Sequence, residues 1–174
     1  MINMVAPNQS KIKKFLKSDK VTYKGLEKEN LRSDKEGKIS NKTFPDEFGV
    51  HNYNRYITLD YSEPHLEIVT PPFSSNLDAL NFLHDLHAHV EENLDGDVLW
   101  NYSMPPKFKS KYIKLPPHRE TNKTKLAHLY RLGLRNRYGD KMQSTAGIHF
   151  NFSFSESVLA ELDCTKTKSL FRNL

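Results

Sequence analysis

The sequence contains almost no cysteine: Cys164 is the single one among 174 residues, which excludes an internal disulfide. No other Cys or His stands near Cys164 at the spacing of a zinc site, so a bystander is favoured over a nucleophile or metal ligand. No run of 18 or more apolar residues occurs, and the N-terminus does not have the pattern of a signal peptide. These features give no support to a membrane partner and favour a cytoplasmic location.

Motifs typical of nucleic-acid binding are also missing. The formal net charge is +5, but no zinc knuckle, RNP-like strand or glycine-rich KH loop accompanies it. Much of the excess lies near the start, where Ser10 is expected to cap a short helix with Ile12, Phe15 and Leu16 on its apolar side and lysines facing water. We therefore expect no nucleic-acid partner, and a basic nucleic-acid-binding module is the weakest of three hypotheses.

The composition, with 37% hydrophobic and 27% charged residues, is that of a soluble globular domain. Hydrophobic periodicity and turn residues predict one α+β domain without internal repeats. Strands are expected at 21–31, 57–61, 66–70 and 147–154, with a turn at Gly37 that returns the first strand as a hairpin and a turn or bulge at Pro64. Helices are expected from Ser74 or Ser75 to about Leu94, from about Lys125 to Tyr138, and over 156–174. Residues 100–106 are expected to form a loop, and 107–125 to be mostly irregular.

The predicted strand at 147–154 alternates strictly between polar and apolar residues. Because side chains alternate between the two faces of a strand, one face carries three polar residues and the other four apolar ones. The polar residues are His149, Asn151 and Ser153, and the apolar ones are Ile148, Phe150, Phe152 and Phe154. We expect the apolar face to be core and the polar face to be a candidate site.

Four carboxylates on or beside predicted strands form a second candidate feature, namely Glu27, Glu29, Asp60 and Glu67. Buried like charges repel each other unless cations neutralise them. Spacing alone leaves two readings open, a face exposed to bulk water and a site for hard cations. The histidines of the helix at 75–94 do not have the spacing of a closed metal site, so His84, His87 and His89 are expected to be surface residues.

The chain resembles the proteobacterial glutamate–cysteine ligases, also called γ-glutamylcysteine synthetases, in a series of short segments. These segments occur in the same order as in that family and cover most of the chain from about residue 21 to 154. The segments are GLEKENLR at 25–32, ITLDYSE at 57–63, LEIVTP at 66–71, LW at 99–100, SMP at 103–105, YRLGL at 130–134, RYG at 137–139, MQ at 142–143 and GIHFNFS at 147–153. Two departures stand out. Residues 116–124 differ from the family's usual loop before the Tyr-Arg helix, and the family's chains run far beyond residue 174. The resemblance therefore implies an N-terminal portion, a single incomplete catalytic domain over 1–174.

The resemblance implies ATP-dependent ligation of the γ-carboxylate of L-glutamate to the amine of L-cysteine through γ-glutamyl phosphate, the first step of glutathione biosynthesis. The implied cofactors are ATP and Mg²⁺. The implied fold is an antiparallel sheet, part of a glutamine-synthetase-like bowl, with helices packed on one face. This chain alone is expected to be inactive, and a non-catalytic truncated remnant of the ligase is the alternative function.

The resemblance also assigns residues to roles. The metal–nucleotide cluster consists of Glu27, Glu29, Asp60, Glu67 and His149, with Glu67 as the bridging ligand. Gln143 and Asn151 hold the α-amino and carboxylate groups of glutamate. Tyr130, Arg131 and Leu134 form the wall around the cysteine and the transferred phosphate, with Arg131 as the catalytic cation.

Overall fold

A computed structural model describes residues 13, 17, 22–108, 113–118 and 121–161. The strands are β1 (Thr22–Ser33), β2 (Ile57–Leu59), β3 (His65–Val69), β4 (Val98–Trp100) and β5 (Ile148–Phe154). The α-helices are α1 (Asn76–Glu92), α2 (Asn122–Tyr138) and α3 (Glu156–Glu161), and short 3₁₀ helices cover Asp46–Phe48 and Met142–Ser144. In this part of the chain no helix has the length and apolar character needed to cross a membrane.

The five strands form one antiparallel sheet around the long strand β1. Strand β3 pairs with one edge of β1, whereas β4 and β5 pair with its other edge, and β2 pairs with the outer edge of β3. In this register Glu29 lies opposite Glu67, and Glu27 lies opposite His149. The predicted α+β class and antiparallel sheet are confirmed.

Helix α1 covers one face of the sheet and closes the main hydrophobic core. Ser75 caps its N-terminus by accepting a hydrogen bond from the backbone N–H of Asp78, as predicted for this position. The core joins side chains of β2, β3, β4 and α1 with two phenylalanines from the connection before β2. Its buried members are Phe44, Phe48, Ile57, Leu59, Leu66, Ile68, Leu83, Val90, Leu94 and Leu99.

Sequence periodicity predicts an apolar stripe on α1 made of Leu77, Leu80, Leu83, Leu86, Val90 and Leu94, and this prediction is partly wrong. Leu77 and Leu80 are exposed, while Ala79 is buried together with Leu83 and Val90. Positions 79, 83 and 90 follow the i, i+4, i+11 spacing of one helix face, whereas Leu80 is turned about 100° away from Ala79. At the N-terminal end of α1, the buried face is therefore shifted by one residue from the predicted one, from Leu80 to Ala79.

A second, smaller hydrophobic cluster lies at one end of the opposite sheet face and consists of Leu31, Ile39, Tyr61 and Ile113, with Leu134 of α2 packed against it. Asp140, just after α2, ties this end together. Its carboxylate accepts hydrogen bonds from the hydroxyl of Tyr61 at 2.5 Å and from the backbone N–H of Ile113 at 2.8 Å. These bonds fix the β2–β3 turn relative to α2.

Several predicted boundaries change. Strand β1 extends to Ser33, and β4 occupies the start of what the sequence predicted as a loop. Gly37 has the expected positive φ of 71°, but the chain after it returns to β1 through a single bridge, Ser33 to Ile39, rather than as a full hairpin. Thr121, within the divergent segment 116–124, caps α2, which begins three residues before the predicted start. The helix predicted after Ser10, apart from residues 13 and 17, lies outside the described residues, as does the part of the predicted 156–174 helix beyond residue 161.

The apolar face of β5 was predicted to be core, and this prediction is wrong for the described part of the chain. Ile148 is 67% exposed, Phe150 62% and Phe152 48%. Strand β5 lies at the sheet edge beyond β1, while the core under α1 is built from β2, β3 and β4. Alternation correctly assigned the side chains to one face, but it does not show whether a second layer covers that face.

Candidate functional site

The structure gathers the five predicted metal–nucleotide residues on one face of the sheet. Glu27 and Glu29 are two residues apart on β1 and therefore point the same way. Glu67 of β3 faces the same side because it lies opposite Glu29, and His149 of β5 does so because it lies opposite Glu27. Asp60, in the β2–β3 turn, comes close enough to Glu67 to repel its charge.

Hydrogen bonds hold the two β1 carboxylates in place. Glu27 accepts a bond from the side-chain amide of Asn151 at 2.9 Å, and its other oxygen lies 3.1 Å from Nδ1 of His149. Glu29 accepts a bond from the backbone N–H of Gly147 at 2.8 Å. The start of β5 is thereby attached to the acidic face, the side of the sheet that carries Glu27, Glu29, Asp60, Glu67 and His149.

The electrostatics of this face centre on Glu67. Burial first, and then the charges of Asp60, Glu27 and Glu29, together raise the pKa of Glu67 to about 7. The hydrogen bond with Glu27, followed by the charge of Glu29, raises the pKa of His149. At neutral pH the carboxylates of this face therefore repel one another unless a proton or a cation neutralises part of their charge.

The chemistry of these donors fits Mg²⁺, which prefers carboxylate oxygens and retains several waters or phosphate oxygens. As they stand, the described residues contain no group of three or more His, Cys, Asp or Glu side chains placed to hold a metal ion. Glu27 and Glu29 are turned towards Asn151, His149 and Gly147 instead. The raised pKa of Glu67 is the observation that favours a cation at this face.

The residues predicted to bind substrate differ from one another in location and burial. Arg131 is buried and donates to the backbone carbonyls of Asp60, at 2.7 and 3.0 Å, and of Leu59, at 3.1 Å. Its guanidinium is therefore held at the backbone of the residue that carries the Asp60 carboxylate. Leu134 packs into the smaller hydrophobic cluster, whereas Tyr130 is exposed on α2. Gln143 lies in the short 3₁₀ helix that leads to β5.

A shallow cleft of about 220 Å³ adjoins the acidic face. Its lining includes residues that share the face of Glu27, namely Tyr23, Gly25, Val69, Asn151 and Ser153. Asn151 thus borders the cleft while its amide binds Glu27. Small and uncharged groups dominate the lining, so the cleft suits a small polar ligand next to the carboxylates.

Sequence reasoning missed one residue of this site, His65. Its side chain is 0% exposed, and it lies between Asp60 and Glu29. Burial lowers the pKa of His65, against the opposing effect of the charges of Asp60 and Glu29 and of the backbone of Gln143. The signal that could have found it is its position two residues before Glu67, which places both side chains on the same face of β3.

The histidines of α1 differ from one another. His84 and His89 are exposed, as predicted. His87 is not a plain surface residue, because its Nε2 lies 2.8 Å from Nζ of Lys28 on β1. Lys28 sits between Glu27 and Glu29 in sequence and points to the opposite face, so this contact joins α1 to the strand that carries the two carboxylates.

Comparisons with known proteins agree on one family. The family model described as glutamate-cysteine ligase matches residues 8–173. A glutamate–cysteine ligase from Wigglesworthia glossinidia brevipalpis is 44% identical over 143 residues, which cover 82% of this chain and 28% of that relative. The chain thus spans well under a third of that relative's length.

Two solved structures have a similar fold. The crystal structure of a glutamate–cysteine ligase from Francisella tularensis in complex with AMP has a TM-score of 0.78 and 32% identity, covering 83% of this chain and 29% of that one. A bifunctional glutathione synthetase from Pasteurella multocida has a TM-score of 0.77 and 26% identity, covering 92% of this chain and 20% of that one.

Proposed function

Because this chain belongs to the glutamate–cysteine ligase family, whose model it matches over residues 8–173, we propose that its acidic sheet face is the cation- and nucleotide-binding part of such a ligase. The reaction joins the γ-carboxylate of L-glutamate to the amine of L-cysteine with ATP, the first step of glutathione biosynthesis. The observation that carries the proposal is the strand register that places Glu27, Glu29, Glu67 and His149 on one sheet face, and the raised pKa of Glu67 supports it. The AMP bound to the Francisella relative supports a nucleotide as one ligand.

The chemistry proposed for this face is a phosphorylation followed by an acyl transfer. A carboxylate is a poor acyl donor, so its oxygen first takes the γ-phosphoryl group of ATP to give γ-glutamyl phosphate. The cysteine amine then attacks the acyl carbon, and phosphate leaves from the tetrahedral intermediate. No protein nucleophile is required, so the protein contributes orientation and electrostatic stabilisation.

The five residues of the acidic face would hold Mg²⁺, with Glu67 as the bridging ligand. When bound, Mg²⁺ neutralises charge on the phosphate oxygens. Asn151 and His149 keep the carboxylate of Glu27 oriented through the bonds described above. Gly147 does the same for Glu29 through its backbone N–H.

The remaining roles follow the placement of the residues. Arg131, which donates to the carbonyl of Asp60, brings a positive charge next to the carboxylates and would stabilise the transferred phosphoryl group. Asn151, at the cleft, and Gln143, before β5, would hold the α-amino and carboxylate groups of glutamate. Tyr130 and Leu134, on either side of Arg131 along α2, would form the wall of the cysteine site.

Glu67→Gln tests the proposal directly. The variant would be made in this chain joined to the remainder of the Wigglesworthia relative. Since the substitution is nearly isosteric but removes a charge from the bridging ligand, we expect loss of glutamate-dependent ATP hydrolysis with an unchanged circular dichroism spectrum. Glu92→Gln, which removes the same charge from an exposed position at the end of α1, should keep normal turnover. Near-normal turnover of Glu67→Gln at saturating Mg²⁺ would refute the assignment.

We further propose that residues 1–174 form part of one catalytic domain and that the chain alone does not complete the reaction. The partly exposed carboxylates and the exposed face of β5 both support this proposal. Phosphate release by the 174-residue chain, measured with and without glutamate and cysteine, should not exceed the background. Glutamate-stimulated hydrolysis that disappears in Glu27→Gln would show the opposite.

A further inference from the structure

His65 is a fully buried histidine whose ring nitrogens make no well-aligned hydrogen bond in the described structure, although the backbone of Gln143 acts on the ring. Each nitrogen nevertheless approaches a carboxylate of the acidic face. Nδ1 lies 3.4 Å from Oδ2 of Asp60, and Nε2 lies 3.8 Å from Oε2 of Glu29. A buried polar group without a partner is costly, so its retention at this place calls for a reason other than packing.

The backbone explains how the ring reaches both carboxylates. His65 is the first residue of β3 and lies opposite Leu31, so its side chain occupies the same face as Glu29 and Glu67 but one position further towards the hydrophobic cluster. The backbone N–H of Asp60 donates to the carbonyl of His65 at 3.1 Å, which closes the β2–β3 turn and brings Asp60 beside the ring. The imidazole thus forms the buried end of the acidic face.

We propose that His65 is a positioning residue whose imidazole spans Asp60 and Glu29 and fixes the separation of these two carboxylates for the cation. The identity of the cation rests on the proposed function, whereas the contact between the ring and the carboxylates does not. A ring nitrogen that carries a proton would donate to the carboxylate it approaches, which lies 3.4 Å away for Asp60 and 3.8 Å away for Glu29. Groups that orient metal-binding carboxylates in this way set metal affinity without touching the metal.

The test compares three substitutions of His65 in the 174-residue chain. Leu removes both nitrogens, Asn keeps an amide nitrogen near the place of Nδ1, and Gln keeps one near the place of Nε2. The probe is Mn²⁺, which takes the same hard oxygen ligands as Mg²⁺ and is followed by the electron paramagnetic resonance signal of the free ion. Thermal unfolding in EDTA, followed by circular dichroism, reports the metal-free stability of each variant.

We expect His65→Leu to weaken Mn²⁺ binding by about tenfold or more, the usual effect of losing a group that orients metal ligands. His65→Asn and His65→Gln should each recover part of the affinity. In EDTA the Leu variant should melt at the same temperature as the parent chain or higher, since an apolar side chain replaces two buried nitrogens without partners. Unchanged Mn²⁺ affinity in the Leu variant would overturn the proposal, as would equal losses of affinity and stability in all three variants.

A second measurement separates this inference from the proposed function. Long-range proton–nitrogen NMR spectra of the metal-free chain report both imidazole nitrogens of His65. Asp60→Asn should shift Nδ1 and Glu29→Gln should shift Nε2, while Asp46→Asn, an exposed control, should shift neither. If the parent chain binds no Mn²⁺ but these shifts occur, the positioning contact stands and the proposed cation site fails. If neither nitrogen shifts, the contact itself is refuted.

Discussion

At the scale of single residues, Glu67 shows how its neighbours set the chemistry of a side chain. It is partly buried on β3, and the carboxylates of Asp60, Glu27 and Glu29 surround it. Both burial and like charge favour its protonated form, which explains why its pKa rises from 4.5 to about 7. A glutamate in this state takes up either a proton or a metal ion near neutral pH.

This pKa predicts a pH-dependent stability in the absence of metal. Because the pKa of Glu67 is higher in the folded than in the unfolded chain, its stabilising effect is complete below about pH 4.5 and is lost as the pH rises through about 7. In EDTA at pH 8, Glu67→Gln should therefore melt about 3 °C above the parent chain, and at pH 4.5 the two should agree. Circular dichroism melting curves measure both. A difference of the same size at both pH values would contradict the assigned pKa.

The sequence could predict most of the site's residues but not how they are held. Glu27, Glu29, Glu67 and His149 follow from strand periodicity together with the family resemblance. His65 was missed because the predicted strand began at Leu66, which left His65 outside the face shared with Glu67, and because its burial depends on contacts with residues far away in sequence. The bonds from Arg131 to the carbonyls of Leu59 and Asp60 were missed for the same reason.

At the scale of elements, the contact between α1 and β1 depends on a polar pair within an otherwise apolar interface. Nζ of Lys28 lies 2.8 Å from Nε2 of His87 and 3.1 Å from Oδ1 of Asn101. Burial is the main cause that lowers the pKa of both Lys28 and His87, and the positive charge of Lys28 lowers the pKa of His87 further. His87 is therefore held neutral so that it can accept a hydrogen bond from the lysine.

Acidification should weaken this contact. Since the folded-state pKa of His87 lies below 6.5, its contribution to stability is present above pH 6.5 and is lost as the pH falls through the lowered pKa. At pH 7.5, His87→Gln should lower the free energy of unfolding by about 1 kcal/mol or less, because the glutamine amide can still accept from Lys28. At pH 5 this deficit should vanish or reverse.

Urea unfolding at both pH values provides the measurement. His84→Gln is the matched control, since His84 is exposed on the same helix and should leave the pH dependence of the parent chain unchanged. A deficit in His87→Gln that persists undiminished at pH 5 would show that burial and the charge of Lys28 do not hold the imidazole neutral.

The elements themselves were predictable where a local pattern defines them. Strands β1 and β5 and both long helices occur close to where their local patterns predict them, and Ser75 caps α1 as expected. Strand β4 was missed because its three residues, Val98–Trp100, have no periodicity of their own and become a strand by pairing with Leu31, Arg32 and Ser33 of β1. The exposure of Leu77 and Leu80 likewise depends on how α1 is rotated on the sheet, which no single helix pattern specifies.

At the scale of the whole molecule, the sheet is covered unevenly. Helix α1 protects the face formed by β2, β3 and β4, while β5 extends the sheet beyond this cover. Among the described residues β5 pairs only with β1, so its outer edge presents backbone donors and acceptors beside an apolar face. Such a combination of an open edge and exposed aromatic rings favours association with another surface.

We therefore expect the 174-residue chain to self-associate through β5. Phe150→Thr combined with Phe152→Thr keeps residues of high β-propensity in the strand but removes two rings that are 62% and 48% exposed, so it should shift the chain towards monomer. Sedimentation velocity over a range of protein concentrations measures the change. Leu126→Ala combined with Leu129→Ala removes comparable apolar surface from α2, away from any sheet edge, and should leave the association unchanged. If the α2 variant dissociates the chain and the β5 variant does not, α2 rather than β5 forms the contact.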